Sequence, residues 1–360
     1  MRDLSFRYVV IRNGADYGTI TPANNGGASL RAQQKSEIKM SLSGSFLPTV
    51  YDFDGLPMVG AGVNWLSDQI RPEMIVDGTA HPLGVYLPAT VSEEEPSDGT
   101  EMKIMQVEAY DRCWQVKDNY TQTVLYFAAN TSYLDVVLQL LASAGIALIS
   151  ATPSDAILAE ERQDWNIGTS YLQIINELLA EINYNPLWFN ESGAAVLEPA
   201  DLPTAQNIDH VLDAGDPETL LLPGIRKSTD TYSAPNVFLC ICSSADKDEG
   251  MAATSENNNP QSPLSIQRRG RRIMKVVNVN NIADQTELQA YADRLRNESM
   301  ITGETITVRT ALLPGYGVGD VTGLRMGETF AICIERSWSM DLRPGGTMTH
   351  ELEKVVISLD

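Results

Sequence analysis

Two stretches in the middle of the chain repeat each other, and they fix its architecture more tightly than any other feature. TSYLDVVLQLLASAG begins at Thr131 and TSYLQIINELLAEIN begins at Thr169. Leu134, Val136, Val137, Leu140, Leu141 and Ala142 recur 38 residues later as Leu172, Ile174, Ile175, Leu178, Leu179 and Ala180. In each copy apolar residues fall at i, i+3 and i+7, as with Leu134, Val137 and Leu141, which lays a stripe along one face of a helix. Thr or Ser ahead of each run can cap the free amides of the first turn, and Gly145 or Asn183 can end the helix in a left-handed conformation. IALIS follows the first copy and NPLWFNESGAAVLEP the second, where NESG turns one strand into the next. A helix followed by a strand, twice, predicts a small α+β domain over 119–219 with both helices on one sheet face. Two copies are too few for a solenoid.

On either side of this domain the period of the apolar residues drops to two. SFRYVVIR, SEIKMSLSGSF, RPEMIVDG, HPLGVYLPATV and MKIMQVEAYDR read as short strands separated by Gly, Pro, Asp and Asn, and they make 1–118 a β domain. The acidic insert SEEEPSDGTE, 92–101, reads as a solvated hairpin loop, since carboxylates that do acid–base work need a shielded setting. From 220 to 360 the β pattern returns in NVFLCICS, ETITVRTALL, ETFAICIERSWSM and THELEKVVISL. SADKDEGMAATSENNNPQSP between them reads as a long polar loop that a partner could order. One helix is expected here, with Asp284 and Glu287 spaced as a capping box and Leu288, Tyr291, Ala292 and Leu295 as its stripe. The fold class is α+β, mainly β.

Composition narrows the partners. The chain has 360 residues, 47 acidic against 26 basic, for a formal net charge of −21, which is the reverse of the footprint of a phosphate-neutralising protein. Specific nucleic-acid binding is not expected. No apolar run approaches the roughly 18 residues of a membrane span, and MRDLSFRYVVIRNG has too short an apolar core for a signal peptide. The expectation is a protein that meets no membrane and is not exported by the general route. Four cysteines are too sparse for a disulfide scaffold, and Cys240 and Cys242 inside VFLCICS read as core thiols. His81, His210 and His350 are scattered singly, so no zinc site is expected.

Two stretches invite a functional reading. LPGYGVGDVTGL, 313–324, has glycines spaced like those of a phosphate loop, but a strand precedes it and another strand follows, where a phosphate cradle needs a helix N-terminus. There is no Gly-x-Gly-x-x-Gly and no Gly-Lys-Ser/Thr, so no nucleotide or other cofactor is expected. Gly315, Gly317, Gly319 and Asp320 read instead as a structural turn at a β-barrel corner. RRGRR, 268–272, is the one dense basic patch. Arg268, Arg269, Arg271 and Arg272 suit either cross-subunit ion pairs or a solvated face. HELEK at 350–354 has a single histidine and is not the two-histidine zinc helix, and no Gly-x-Ser-x-Gly elbow occurs, so no catalytic residue is assigned.

The order of the segments is more telling than any site. SEIKMSLSGSF, IRPEMIVDGTAHPLGVYLPATV, VEAYDRCWQVKD, Trp165 with GTSYLQIINELLAEINYNPLWFNESGAAVLEP, APNVFLCIC and ADRLRNESMITGETITVRTALLPGYGVGDV together resemble the tail hub proteins of bacteriophages and related contractile injection particles. The resemblance runs over nearly the whole chain. It implies two tube-forming β-barrel-like domains, 1–118 and 220–360, with the α/β domain of 119–219 as a decoration. It further implies a homotrimer whose barrels form a pseudo-sixfold ring between a hexameric tail tube or distal tail protein and a threefold central spike protein. Tape-measure and baseplate wedge proteins are further implied partners. The implied location is the tail tip of a virion or tail-like particle, assembled in the bacterial cytoplasm. The larger members carry a lysozyme, a peptidase or a triple-stranded β-helix, and none is read here, so a separate spike or lytic protein is expected.

Two other functions compete. A tail-associated cell-wall hydrolase would need a carboxylate pair or a metal site, and the acidic residues fall in apparent loops. A receptor-binding tail module could use Trp188 and Phe189, which as strand residues under a helix read better as core.

Overall fold

The structure is a computed structural model that describes the chain except residues 1–2, 24–26, 95–102, 202, 218–220, 229–233, 243–249, 280–281, 283–284, 301–303 and 356–360. The N-terminal region supplies β1 (Leu4–Arg12), β2 (Ala15–Ile20), β3 (Ala28–Gln33), β4 (Met40–Phe46), β5 (Thr49–Tyr51), β6 (Pro57–Gly62), β7 (Gln69–Val76), β8 (Thr79–Pro82), β9 (Tyr86–Glu94) and β10 (Ile104–Asp111). The middle supplies α1 (Arg112–Lys117), α2 (Tyr133–Ser143), β11 (Ile149–Ala151), α3 (Tyr171–Glu181), β12 (Trp188–Phe189) and β13 (Ala195–Leu197). The remainder supplies β14 (His210–Asp213), β15 (Leu221–Ser228), β16 (Val237–Cys242), β17 (Met251–Glu256), α4 (Ile266–Arg269), β18 (Met274–Val279), α5 (Gln285–Met300), β19 (Thr305–Ala311), β20 (Val321–Met326), β21 (Thr329–Leu342) and β22 (Thr347–Lys354). The expectation of a mainly β, α+β chain is borne out.

The two ends of the chain build one sheet. Its path runs β15-β19-β22-β21-β3-β4-β10-β9-β7-β1-β2-β5-β6, and β3 against β21 is the seam between them. The seam follows from alternation. Ala28, Leu30 and Ala32 of β3 point inward opposite Leu342, Met340 and Trp338 of β21, so the antiparallel register places apolar on apolar at every second pair. The Tyr8 hydroxyl lies at this seam, donating to the Leu342 carbonyl at 3.3 Å and accepting the Ala28 amide at 3.2 Å. Tyr8, Leu42, Phe46, Ile70 and Met74 from the N-terminal strands share one core with Val308, Trp338 and Leu352.

The repeated helices are α2 and α3, and the stripe residues Leu134, Val137, Leu141, Leu172, Ile175 and Leu179 are all buried in a second core, packed over the sheet β11-β13-β12. Gly145 and Asn183 take positive φ as expected, +78° and +59°. The expected caps do not form: Ser132 and Ser170 stand at the N-cap positions, yet neither side chain accepts an amide, and the Ser170 hydroxyl instead donates to the Lys117 carbonyl.

Asp111 joins this domain to the large sheet. Its carboxylate accepts the Met40 amide of β4 at 2.8 Å and the Cys113 amide at 2.9 Å, so one buried side chain caps α1 and holds a strand end. Burial pushes its pKa up to about 7. Asp111→Ala strands two buried donors and is expected to cost about 2–4 kcal/mol in denaturant unfolding. A raised carboxyl contributes stability that is complete below its unfolded value and lost as pH rises through about 7. The deficit of the variant is therefore expected to be larger at pH 5 than at pH 8.

Residues 234–300 form a third small unit, in which α5 covers the sheet β17-β16-β18 and Cys240, Cys242, Ala253, Leu288 and Ala292 make its core. Tyr291 and Leu295 pack at the edge of that core, which completes the expected stripe; Asp284 of the expected capping box lies outside the described residues. The long polar loop is corrected here. MAATSE is strand β17, paired with β16 along its whole length, with Ala253 and Ser255 inward. Its inward residues are small or hydroxylic, and the buried Ser255 hydroxyl is satisfied by Asp293, so polarity masked a two-residue period.

Candidate functional site

The glycine-rich corner 313–320 joins β19 to β20, and its glycines do different things. Gly315 and Gly319 have φ of +85° and +86° and turn the chain. Gly317 is not in that region; it is needed for space, because a Cβ there would stand 2.6 Å from Asp320 Oδ1 and 3.2 Å from the Trp188 ring. Asp320 closes the turn by accepting the Gly317 amide, and the Trp338 indole donates to the Gly317 carbonyl at 2.9 Å. No helix N-terminus faces these amides, since β20 follows at once.

The corner also gathers the histidines that look isolated in sequence. His210 of β14 bonds Asp320 Oδ2 at 2.9 Å and stacks on Tyr316 with ring centroids 3.8 Å apart. His350 of β22 lies on the other side, 4.9 Å from the Tyr316 ring. Its Nδ1 is 2.8 Å from Glu335 Oε2 and its Nε2 3.0 Å from Thr310 Oγ1. Strand pairing does this: β14 runs beside β20, and β22 lies between β19 and β21, so five strands bring Thr310, Asp320, Glu335, His210 and His350 together. The sequence shows no trace of it, because the ladder sets the spacing.

Thr310, His350 and Glu335 have the outline of a hydroxyl–imidazole–carboxylate relay, and the geometry decides against nucleophilic use. The Thr310 hydroxyl has one hydrogen and two acceptors within reach, the Ala311 carbonyl at 2.7 Å and His350 Nε2 at 3.0 Å, so the carbonyl competes with the imidazole for it. His350 and Thr310 are fully buried and Glu335 is 1% exposed, so a substrate has no route to them. Burial raises the Glu335 pKa, opposed by His350, and Glu335 Oε1 has no hydrogen-bond partner among the described residues. The network ties β19, β21 and β22 together within the core.

The arginine patch is engaged with its own chain at three of its four residues. Ser265 caps α4, Gly270 ends it with φ +63°, and the turn presents Arg268 to the Pro260 carbonyl, Arg269 to the Ala234 carbonyl and Arg272 to Glu256; Arg271 is exposed. Among the described residues no group of three His, Cys, Asp or Glu side chains is arranged to hold a metal, and all four cysteines are buried and outside any disulfide. A crevice of about 1030 Å3 opens between the three units beside Trp188, Glu198 and Asp320, but its walls carry both signs of charge, and Arg336 there is already paired with Glu353. Trp188 donates to Glu198 and Phe189 is core, so neither aromatic is presented to a receptor.

No protein-family model and no curated protein sequence matches the chain. Solved structures do. A tail protein from Neisseria meningitidis MC58 superposes with a TM-score of 0.64 at 12% identity, covering 97% of this chain and 96% of that one. The 43 kDa tail protein of prophage MuSo2 from Shewanella oneidensis gives a TM-score of 0.63 at 12% identity, over 97% and 98%. An E. coli component of the type VI secretion system, described as structurally similar to the T4 bacteriophage tail proteins gp27 and gp5, gives 0.53 at 8% identity, over 97% of this chain and 77% of its own. The resemblance read from the order of the segments is thus borne out at the level of architecture: over nearly its whole length the chain has the fold of phage tail proteins.

Proposed function

We propose that the chain is a structural hub at the tip of a tail, a homotrimer whose β domains form a pseudo-sixfold ring between the tail tube and a threefold central spike. The observation that carries this reading is the superposition on tail proteins over 97% of the chain. The net charge of −21 supports a place on the ejection path, because an acidic passage repels a sliding nucleic acid and does not retain it. The division into 1–118, 119–219 and 220–360, and the use of the arginine patch between subunits, belong to this proposal, with Arg271 as the residue best placed to reach a neighbour.

The hub is proposed to be non-enzymatic, since the relay-like cluster of Thr310, His350 and Glu335 is buried away from any substrate. Native mass spectrometry of the purified chain and cryo-EM of assembled particles test the reading. A trimer, and density for the chain at the tail tip, are expected; a stable monomer that never joins tail particles overturns it. No turnover is expected on purified peptidoglycan, and turnover abolished by Glu335→Gln would restore the hydrolase.

A further inference from the structure

The large sheet repeats one arrangement of four strands. Along its path one half runs β3-β4-β10-β9 and the other β15-β19-β22-β21, every neighbouring pair antiparallel. The likeness extends to a bulge. β9 carries one extra residue, Ala89, against β10, and β21 carries one, Arg336, against β22. Ahead of the bulge each strand has a neighbour on its outer side, β7 at Tyr86 of β9 and β20 as far as Ile334 of β21. Past the bulge β21 turns to β3, from Ser337 to Leu342, and this is the seam that joins the two halves. β9 past its bulge, from Thr90 to Glu94, has no strand on that side among the described residues. The second half has the matching free edge, β15, which lies beside β19 as β3 lies beside β4.

The registers say which residues of these two edges correspond to the seam. Counted from the bulges, Ser92, Glu93 and Glu94 occupy the places of Ser339, Met340 and Asp341. Lys227 opposite Ile306 occupies the place of Leu30 opposite Leu42, and Arg226 opposite Thr307 that of Ser29 opposite Ser43. In the seam Met340 faces Leu30 and Asp341 faces Ser29. The same ladder between two copies sets Glu93 against Lys227 and Glu94 against Arg226, so both cross-strand pairs join opposite charges. All four side chains are exposed in the single chain. We propose that β15 of one copy pairs antiparallel with the Thr90–Glu94 edge of β9 in a second copy of this chain, repeating between subunits the β3–β21 seam found within each. A contact between two different edges makes a ring when its rotation closes, and seams within and between chains would then alternate around it. The inference rests on the proposed ring and names the joint that closes it. Pro223 and Gly224 lie at the interruption of β15 between Leu222 and Arg226, outside the paired stretch. The cations of β15 deter an unselected strand, and an acidic edge is the partner they admit. The present partners, Lys103 for Glu93 and Glu304 for Lys227 at 3.4 Å, form exposed ion pairs that are exchanged at little cost.

Charge reversal in the full chain tests the joint by native mass spectrometry. Glu93→Lys and Lys227→Glu are each expected to weaken association about tenfold or more, with the melting temperature of the isolated subunit unchanged. The double variant, with the pair inverted, is expected to associate close to wild type. Unchanged association in either single variant, or a double variant no better than the singles, would overturn the joint. Cross-linking reads the register separately. Ser92 and Ser228 take the places of Ser339 and Arg31, which face each other in the seam, and the four native cysteines are buried. An equimolar mixture of Ser92→Cys and Ser228→Cys is expected to give disulfide dimers on oxidation, and each variant alone is expected to give none. Dimers from either variant alone would show a two-fold contact and overturn the proposal. A trimer that ignores both charge reversals and forms no cross-link would overturn this joint and leave the hub reading standing, whereas an unmodified chain that is monomeric at every concentration would remove both.

Discussion

His350→Ala is expected to destabilise the protein by about 3–5 kcal/mol, the cost of removing one partner from a buried ionisable pair. His350 has no exposed surface and Glu335 is 1% exposed, so no solvent replaces the lost bond. Glu335 Oε1 is already without a hydrogen bond, and the substitution would leave Oε2 without its imidazole as well. Tyr316, which packs between His350 and His210, would lose one of its two flanking rings, so the loosening would reach the glycine corner. The deficit should depend on pH in a definite direction. Burial raises the Glu335 pKa and His350 opposes the rise, so without the imidazole the charged carboxylate is penalised further. A group whose folded pKa is raised loses its contribution as pH rises, and the gap between wild type and variant is therefore expected to be wider at pH 8 than at pH 5. Replacing both partners by leucine should recover most of the loss, because no unpaired polar group is then buried. Chemical denaturation of the three proteins at the two pH values checks this; a variant within 1 kcal/mol of wild type would show the network to be incidental.

The sequence disclosed elements whose signal is local and hid those that depend on the ladder. α2 and α3 were legible because each buries one stripe at helical spacing, and their ends were legible because Gly145 and Asn183 accept a left-handed backbone. β19, β21 and β22 were legible because apolar residues alternate. β17 was not, since Ala253 and Ser255 carry its inward face without a large side chain, and β15 was not, since none of its residues is buried. The network at the corner was invisible for a different reason. His210, Asp320, Glu335 and His350 have no common spacing, and strand register alone, set by apolar residues elsewhere, makes them neighbours. β6 was not legible either, because PMVGAG has too few large residues to show a two-residue period.

The glycine corner carries the second large expectation, and it separates two kinds of glycine. Gly317→Val is expected to cost about 3–5 kcal/mol, combining overpacking with a strained charge-assisted hydrogen bond. The first branch of the new side chain, its Cβ, would already lie 2.6 Å from Asp320 Oδ1. Asp320 cannot withdraw freely, because Oδ2 holds both the Gly317 amide and His210. Trp188 and Trp338 close the other sides, one 3.2 Å from the added Cβ and the other hydrogen-bonded to the Gly317 carbonyl, so the clash would spread toward the α/β domain and the main core. Gly315→Ala meets no atom within 4 Å and should cost only the torsional penalty of its φ of +85°, about 1–2 kcal/mol. Gly319→Ala combines a similar φ with a contact to the end of the Gln34 side chain, which can rotate away, and should fall between the two. Denaturant midpoints in the order Gly315, Gly319, Gly317 from mildest to most severe are expected, with ring assembly lost in Gly317→Val at temperatures where wild type is intact. Equal effects at Gly315 and Gly317 would mean that the turn is governed by backbone torsion alone. Measurable nucleotide affinity in the unmodified protein would instead return the corner to the phosphate-binding reading that its glycine spacing first suggests.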